Sequence, residues 1–195
     1  MNVTEVVTKF NWVDIFVICI ILITTYRGSN RSFIIEAFKF LGIICAVFVS
    51  MQYFSILSDF LLARVPLIGV LLSDFFSFAV LAIVTYLVVV FIREGFCRLL
   101  AVEAVSLLDK WGGFIFGFLR GVIFASMLLF LFSIPATDYL RGSVQKSYLG
   151  SQLVMVNVKV YEFIMKNIYS RIYADQKPND VIYEIIDLGQ EVKNQ

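Results

Sequence analysis

Four long apolar stretches constrain this chain more than any other feature, running from Phe10 to Tyr26, Ser32 to Leu57, Pro66 to Ile92 and Trp111 to Ile134. A hydrocarbon core about 30 Å thick needs roughly 20 helical residues, with about 17 as the lower limit, so each stretch is long enough to cross. Backbone polar groups find no water inside a bilayer, which leaves helices or closed barrels, and continuous apolar runs of this length specify helices. The expectation is an all-α integral membrane protein with four transmembrane helices.

The first stretch competes with a signal peptide. Glu5 and Asp14 accompany Lys9 near its start and Thr24-Thr25-Tyr26-Arg27 closes it, so it reads as a retained helix. The second carries Glu36 and Lys39 in its first turns. The third opens on Pro66, suited to a first helical turn because its missing N–H needs no partner there, and holds Asp74 as its one charge. The fourth ends ahead of Pro135.

Composition shifts at that point. Residues 135–195 hold seven basic and seven acidic residues, against nine and eight in the first 134. The chain divides into a transmembrane domain, 1–134, with spans at about 10–26, 32–57, 66–92 and 111–134, and a polar C-terminal tail, 135–195. In the tail, Leu153 to Tyr173 and Val181 to Val192 carry apolar residues at helical steps and read as amphipathic helices. They suit an outside surface, a partner groove, or packing back onto the bundle.

Short connectors predict two antiparallel hairpins with both termini on one side. Arg27, Arg31, Lys39, Arg93, Arg98 and Lys110 flank one face, while Lys9, Arg64, Arg141 and Lys146 flank the other. The positive-inside rule then favours cytoplasmic first and third connectors, with the N-terminus and tail outside. The third connector, Arg93 to Lys110, alternates apolar and charged residues at three- and four-residue steps and predicts an amphipathic helix on the membrane surface.

Several chemistries are excluded. The 16 Lys and Arg against 15 Asp and Glu leave a net charge of +1, without the basic footprint of a nucleic-acid binder. Histidine is absent from the sequence, which removes Ser-His and Cys-His nucleophile pairs and the commonest zinc and haem ligand. Cys19, Cys45 and Cys97 stand apart from one another and read as small apolar residues. No catalytic, cofactor or metal site is expected.

The candidate functional residues are charges and glycines. Gly113, Gly117 and Gly121 stand four apart and line one face of the fourth helix, where glycine lets backbones approach in lipid. That face packs against the rest of the bundle or against a second copy. Arg120 lies near the same face, roughly 13 Å inside the Trp111 end, where an arginine needs a carboxylate, a carbonyl or water. Asp74 and Glu36 are the reachable acids. Asp14 sits at the start of the first helix as a cap.

These residues resemble the colicin V production protein (CvpA) family of bacterial inner-membrane proteins. Its pattern of an acid opening helix one, then Arg-Gly, Arg and Glu around the first connector, matches Asp14, Arg27-Gly28, Arg31 and Glu36, with Ser32 where a second glycine is usual. Its Leu-Asp-Arg-x-x-Gly-x-x-x-Gly-x-x-Arg-Gly run is similar to Leu108-Asp109-Lys110 through Gly113, Gly117 and Arg120-Gly121, with Lys110 in place of arginine. Ser147-Tyr148-Leu149 looks like a Ser-x-Leu element early in the family's tail. The resemblance implies a four-helix protein required for colicin V production or export and connected with envelope integrity, without catalytic chemistry.

The leading expectation is an accessory or scaffold protein supporting toxin production or export and envelope maintenance. The alternative is a small oligomeric transporter or channel using Arg120 with Asp74 or Glu36, since intramembrane charges mark pathways. An intramembrane enzyme would need paired aspartates or a Ser-Lys pair within the spans, and Asp74 alone is insufficient. The expected partners are the lipid bilayer, a second copy of the chain, and export or envelope proteins reached through the tail.

Overall fold

The computed structural model describes residues 11–65, 67–100, 106–134, 138–169, 171 and 178–193. Four long helices make the bundle: α1 Trp12–Ser29, α2 Phe33–Arg64, α3 Val70–Leu100 and α4 Ser106–Ser133. Four segments in them are long and apolar enough to cross a membrane, Trp12–Ser29, Phe33–Arg64, Val70–Gly95 and Asp109–Ser133.

Helix α1 starts on a capping box. Asn11 Oδ1 accepts from the Trp12 N–H, and Asp14 Oδ2 accepts the Asn11 N–H at 2.7 Å, so orphan donors of the first turn are satisfied reciprocally. Helix α2 runs to Arg64, past the expected end at Leu57. Ser58 does not break it because it is buried against α3, its carbonyl accepting the Ser73 hydroxyl at 3.0 Å. Helix α3 begins at Val70 rather than Pro66, which lies outside the described residues, and continues to Leu100.

That continuation replaces the separate amphipathic helix expected over Arg93 to Lys110. Its first part is the end of α3 and its last part the start of α4, with 101–105 outside the described residues. Extending an existing helix adds one hydrogen bond per residue fixed, whereas a new one needs a costly nucleus, and Arg93–Leu100 contains no proline to stop it.

The helices alternate in direction, yet their packing does not follow the two expected hairpins. The heaviest packing is α2 on α3, α1 on α4 and α2 on α4, while α3 barely touches α4. So the expected α1–α2 and α3–α4 hairpins describe connectivity only. Glycines on α1 and α4 explain one exchange, since they allow a backbone approach that α1 and α2 have no counterpart for.

Large apolar residues left exposed include Phe76, Val80, Ile83, Val84, Leu87, Val88 and Phe91 along α3 and Ile15, Leu22 and Ile23 on α1. On α3 these recur at steps of three and four and form one stripe, the surface that lipid covers. Cys19 and Cys45 are exposed, free thiols among such residues.

In the tail, α5 spans Asp138–Lys146, α6 Tyr148–Ile164 with a π-helical turn at Met165–Tyr169, and α7 Val181–Lys193. Helix α5 was not legible as a helix. Helix α6 starts five residues ahead of the expected Leu153, and the alternating Val154, Val156, Val158 and Val160 lie within it. It packs on α4, α2 and α1, burying Val154, Val158 and Tyr161. Polar contacts fix its register. The Ser126 hydroxyl donates to the Leu153 carbonyl and accepts the Asn157 N–H at 3.1 Å. Tyr161 donates to Gln52 Oε1 and accepts the Asn179 N–H at 2.9 Å.

Candidate functional site

Glu36 is fully buried in the first turn of α2 and takes two cations. Arg120 Nη1 stands 2.7 Å from Oε2 without the alignment of a hydrogen bond, and Lys39 Nζ bonds Oε1 from one turn along α2. The reach follows from helix geometry. Helices α2 and α4 run parallel, and the Cα–Cβ bond of Arg120 tilts toward the N-terminus of α4, carrying the side chain toward the end where α2 begins. Asp74, the other acid in question, is elsewhere. The adjacent Ser73 bonds Ser58, which is about 33 Å along α2 from Glu36.

Beside the ion pair, α1 and α4 meet backbone to backbone. A Cβ on Gly28 would overlap the Gly113 carbonyl oxygen and stand 2.8 Å from Gly117 Cα. A Cβ on Gly117 would lie 2.9 Å from the Thr24 carbonyl oxygen, and one on Gly121 would overlap the Thr24 hydroxyl. Gly113, Gly117 and Gly121 therefore face α1 of the same chain.

Asp109 supplies a cap across elements. Ser32 makes no side-chain cap to α2 itself; Asp109 Oδ1 accepts its hydroxyl at 3.2 Å and the Phe33 N–H at 3.1 Å. A carboxylate at a helix N-terminus also meets the favourable end of the dipole. The first connector is thereby tied to the start of α4.

Asp14 does more than cap α1. It is fully buried, and its Oδ1 accepts the Ser147 hydroxyl at 2.7 Å and the Leu149 N–H at 2.8 Å. Ser147 is the N-cap of α6, its hydroxyl accepting from the Gly150 N–H, so one carboxylate serves the N-termini of α1 and α6. Asn11 Nδ2 donates to the Ser143 carbonyl at 3.3 Å beside it.

A cavity of about 400 Å³ lies among the four long helices, where α3 has little contact with α4. Arg27, Arg31, Lys39 and Arg120 line it together with Thr24 and Tyr86, and its remaining lining is apolar. Sequence reasoning placed these cations at one end of the bundle or in its middle without seeing that they converge. The spacing of Glu36 and Lys39, one turn apart, was the available signal for the second partner. Among the described residues no three Cys, Asp or Glu side chains are grouped to hold a metal ion.

Asp14 with Ser147, Gly28 with Gly113 and Gly117, Glu36 with Arg120, and Asp109 with Ser32 and Phe33 thus meet across segments distant in sequence. The model of the family described as colicin V production protein matches residues 13–158, a range that contains every one of these joints. No curated protein and no solved structure matches the chain. A match over most of its length settles the assignment: the chain belongs to the colicin V production protein family.

Proposed function

We propose that this protein, an accessory multi-pass inner-membrane protein of the colicin V production type, acts as a scaffold whose docked tail presents a surface to export or envelope proteins. One observation carries the reading. The buried charges Asp14, Glu36 and Arg120, with the half-buried Asp109, are engaged in fastening helices to one another. Such a bundle is suited to holding a fixed shape. In this reading the residues 1–134 anchor the protein, residues 135–195 face the periplasm with the N-terminus, and the first and third connectors face the cytoplasm.

The test uses single-cysteine variants in α6, α7 and along Gly113 to Gly121, in a cysteine-free background, crosslinked in cells and identified by mass spectrometry. Capture of envelope or export proteins from the tail, absent with a variant whose tail is undocked, supports the scaffold. Homomeric bands along the glycine face, with a silent tail, overturn it.

The cavity beside Arg120 favours a second reading, a small oligomeric transporter or channel working through Arg120 and Glu36. Flux through proteoliposomes that falls with Arg120→Leu, and with protein density in the manner of an oligomer, would support it.

A further inference from the structure

We propose that the cavity between the four long helices binds an anionic amphiphile, with its phosphate-type headgroup on Arg27, Arg31, Lys39 and Arg120 and its acyl chain leaving between α3 and α4.

The first argument is charge. Four cations line the cavity and the lining holds no carboxylate. Glu36, behind it, is the acid that pairs with Lys39 and Arg120, so four positive charges less one negative leave an excess of three. Arg27 and Arg31 have no ion-pair partner among the described residues. Such an excess beside an apolar wall asks for an anion. Guanidinium groups match phosphate in shape and charge, giving paired N–H to oxygen bonds.

The second argument is shape. Cations sit toward the first-connector end, since Arg27 is in the last turn of α1 and Arg31 follows it. Away from that end the walls become Ile43, Ala82, Ile83, Leu87, Phe124 and Met127. This polarity is that of an amphiphile and not of a free ion. The volume of about 400 Å³ suits a headgroup with its first carbons, and the rest of a chain has an exit. Ile83 and Leu87 are both lining and exposed on the lipid-facing stripe, where α3 scarcely contacts α4. Basic pockets between transmembrane helices hold anionic headgroups in this manner.

The experiment uses the full chain, purified and placed in nanodiscs of phosphatidylglycerol and phosphatidylcholine with identical acyl chains. Native mass spectrometry reads which lipid stays bound. Phosphatidylglycerol should be retained in clear preference, and removing both exposed arginines with Arg27→Gln and Arg31→Gln should reduce that preference roughly thirtyfold. Lys110→Gln removes an exposed charge at the same end outside the cavity and should leave the preference intact. Ile83→Trp, placed at the mouth, should weaken retention of both lipids with all charges present. Equal retention of the two lipids by the native chain overturns the proposal, as does a Lys110→Gln effect matching that of Arg31→Gln. Thermal stabilisation by inorganic phosphate equal to that by phosphatidylglycerol also overturns it, because the site would then serve a free oxyanion.

Discussion

Arg120 Nη1 stands 2.7 Å from Glu36 Oε2, and the same carboxylate also holds Lys39. This three-membered arrangement makes the two ends of the pair unequal. Arg120→Leu leaves Glu36 still paired with Lys39, whereas Glu36→Gln leaves two cations facing each other. Removing one partner of a buried pair costs about 3–5 kcal/mol, so Glu36→Gln should stand at the upper end and Arg120→Leu below it. The double variant should be less destabilised than the sum, read by thermal unfolding in detergent. Additive losses would exclude the coupling.

The α1–α4 contact predicts opposite outcomes for two glycine-to-alanine substitutions. Gly28→Ala places a methyl into the Gly113 carbonyl and should push the helices apart, costing about 1–3 kcal/mol as overpacking does. Gly95, within α3, has nothing within 4 Å of a Cβ, so Gly95→Ala should stabilise by about 0.5–1 kcal/mol through helix propensity alone. Melting temperatures of the two variants in the same detergent check this; a shift of the same sign in both would count against the close approach.

How much of this was legible depended on range. Apolar run length located the four spans, and the spacing of Gly113, Gly117 and Gly121 defined a face, because both are local properties of one helix. What lay across from that face was not local. Gly28 appeared only beside Arg27 in a connector motif, and its contact with Gly113 depends on α1 passing α4 and not α2. Arg120 faced two acids of equal plausibility until the parallel run of α2 and α4 placed Glu36 within reach. Asp14 read only as a cap of its own helix and Asp109 only as a motif residue ahead of the fourth span, since a carboxylate capping another element leaves no mark on its own neighbours.

Alkaline pH should loosen the tail. Burial raises Tyr161 above the ordinary phenol range, and burial with the hydrogen bond to Glu162 pushes Tyr183 up to about 12. Below the ordinary value of 10.0 both phenols are neutral in docked and undocked forms, and their contribution is fully present. Between 10.0 and about 12 the undocked form ionises first, so stability falls as pH rises through that window. Protease nicking of the tail followed alongside tyrosinate absorbance should show this loss, and Tyr183→Phe should flatten it. Coincident profiles for Tyr183→Phe and the native chain would remove Tyr183 from the account.

Asp14 and Asp109 invite a comparison that separates fastening the tail from fastening the bundle. Hydrogen bonds to a charged group contribute about 1.5–3 kcal/mol each, and Asp14 holds two donors of the α6 N-terminus besides its own capping box. Asp14→Ala should therefore release α6, seen as faster amide exchange at Leu149 and Gly150, with exchange at Phe33 unchanged. Asp109→Ala should do the reverse, exposing the Phe33 amide while α6 stays protected. Ser147→Ala, which removes one donor to Asp14 and the cap on Gly150, should fall short of Asp14→Ala because the Leu149 bond survives. If Asp14→Ala and Asp109→Ala instead raised exchange at all three amides together, the two carboxylates would belong to one cooperative unit, and the tail could not move without the bundle.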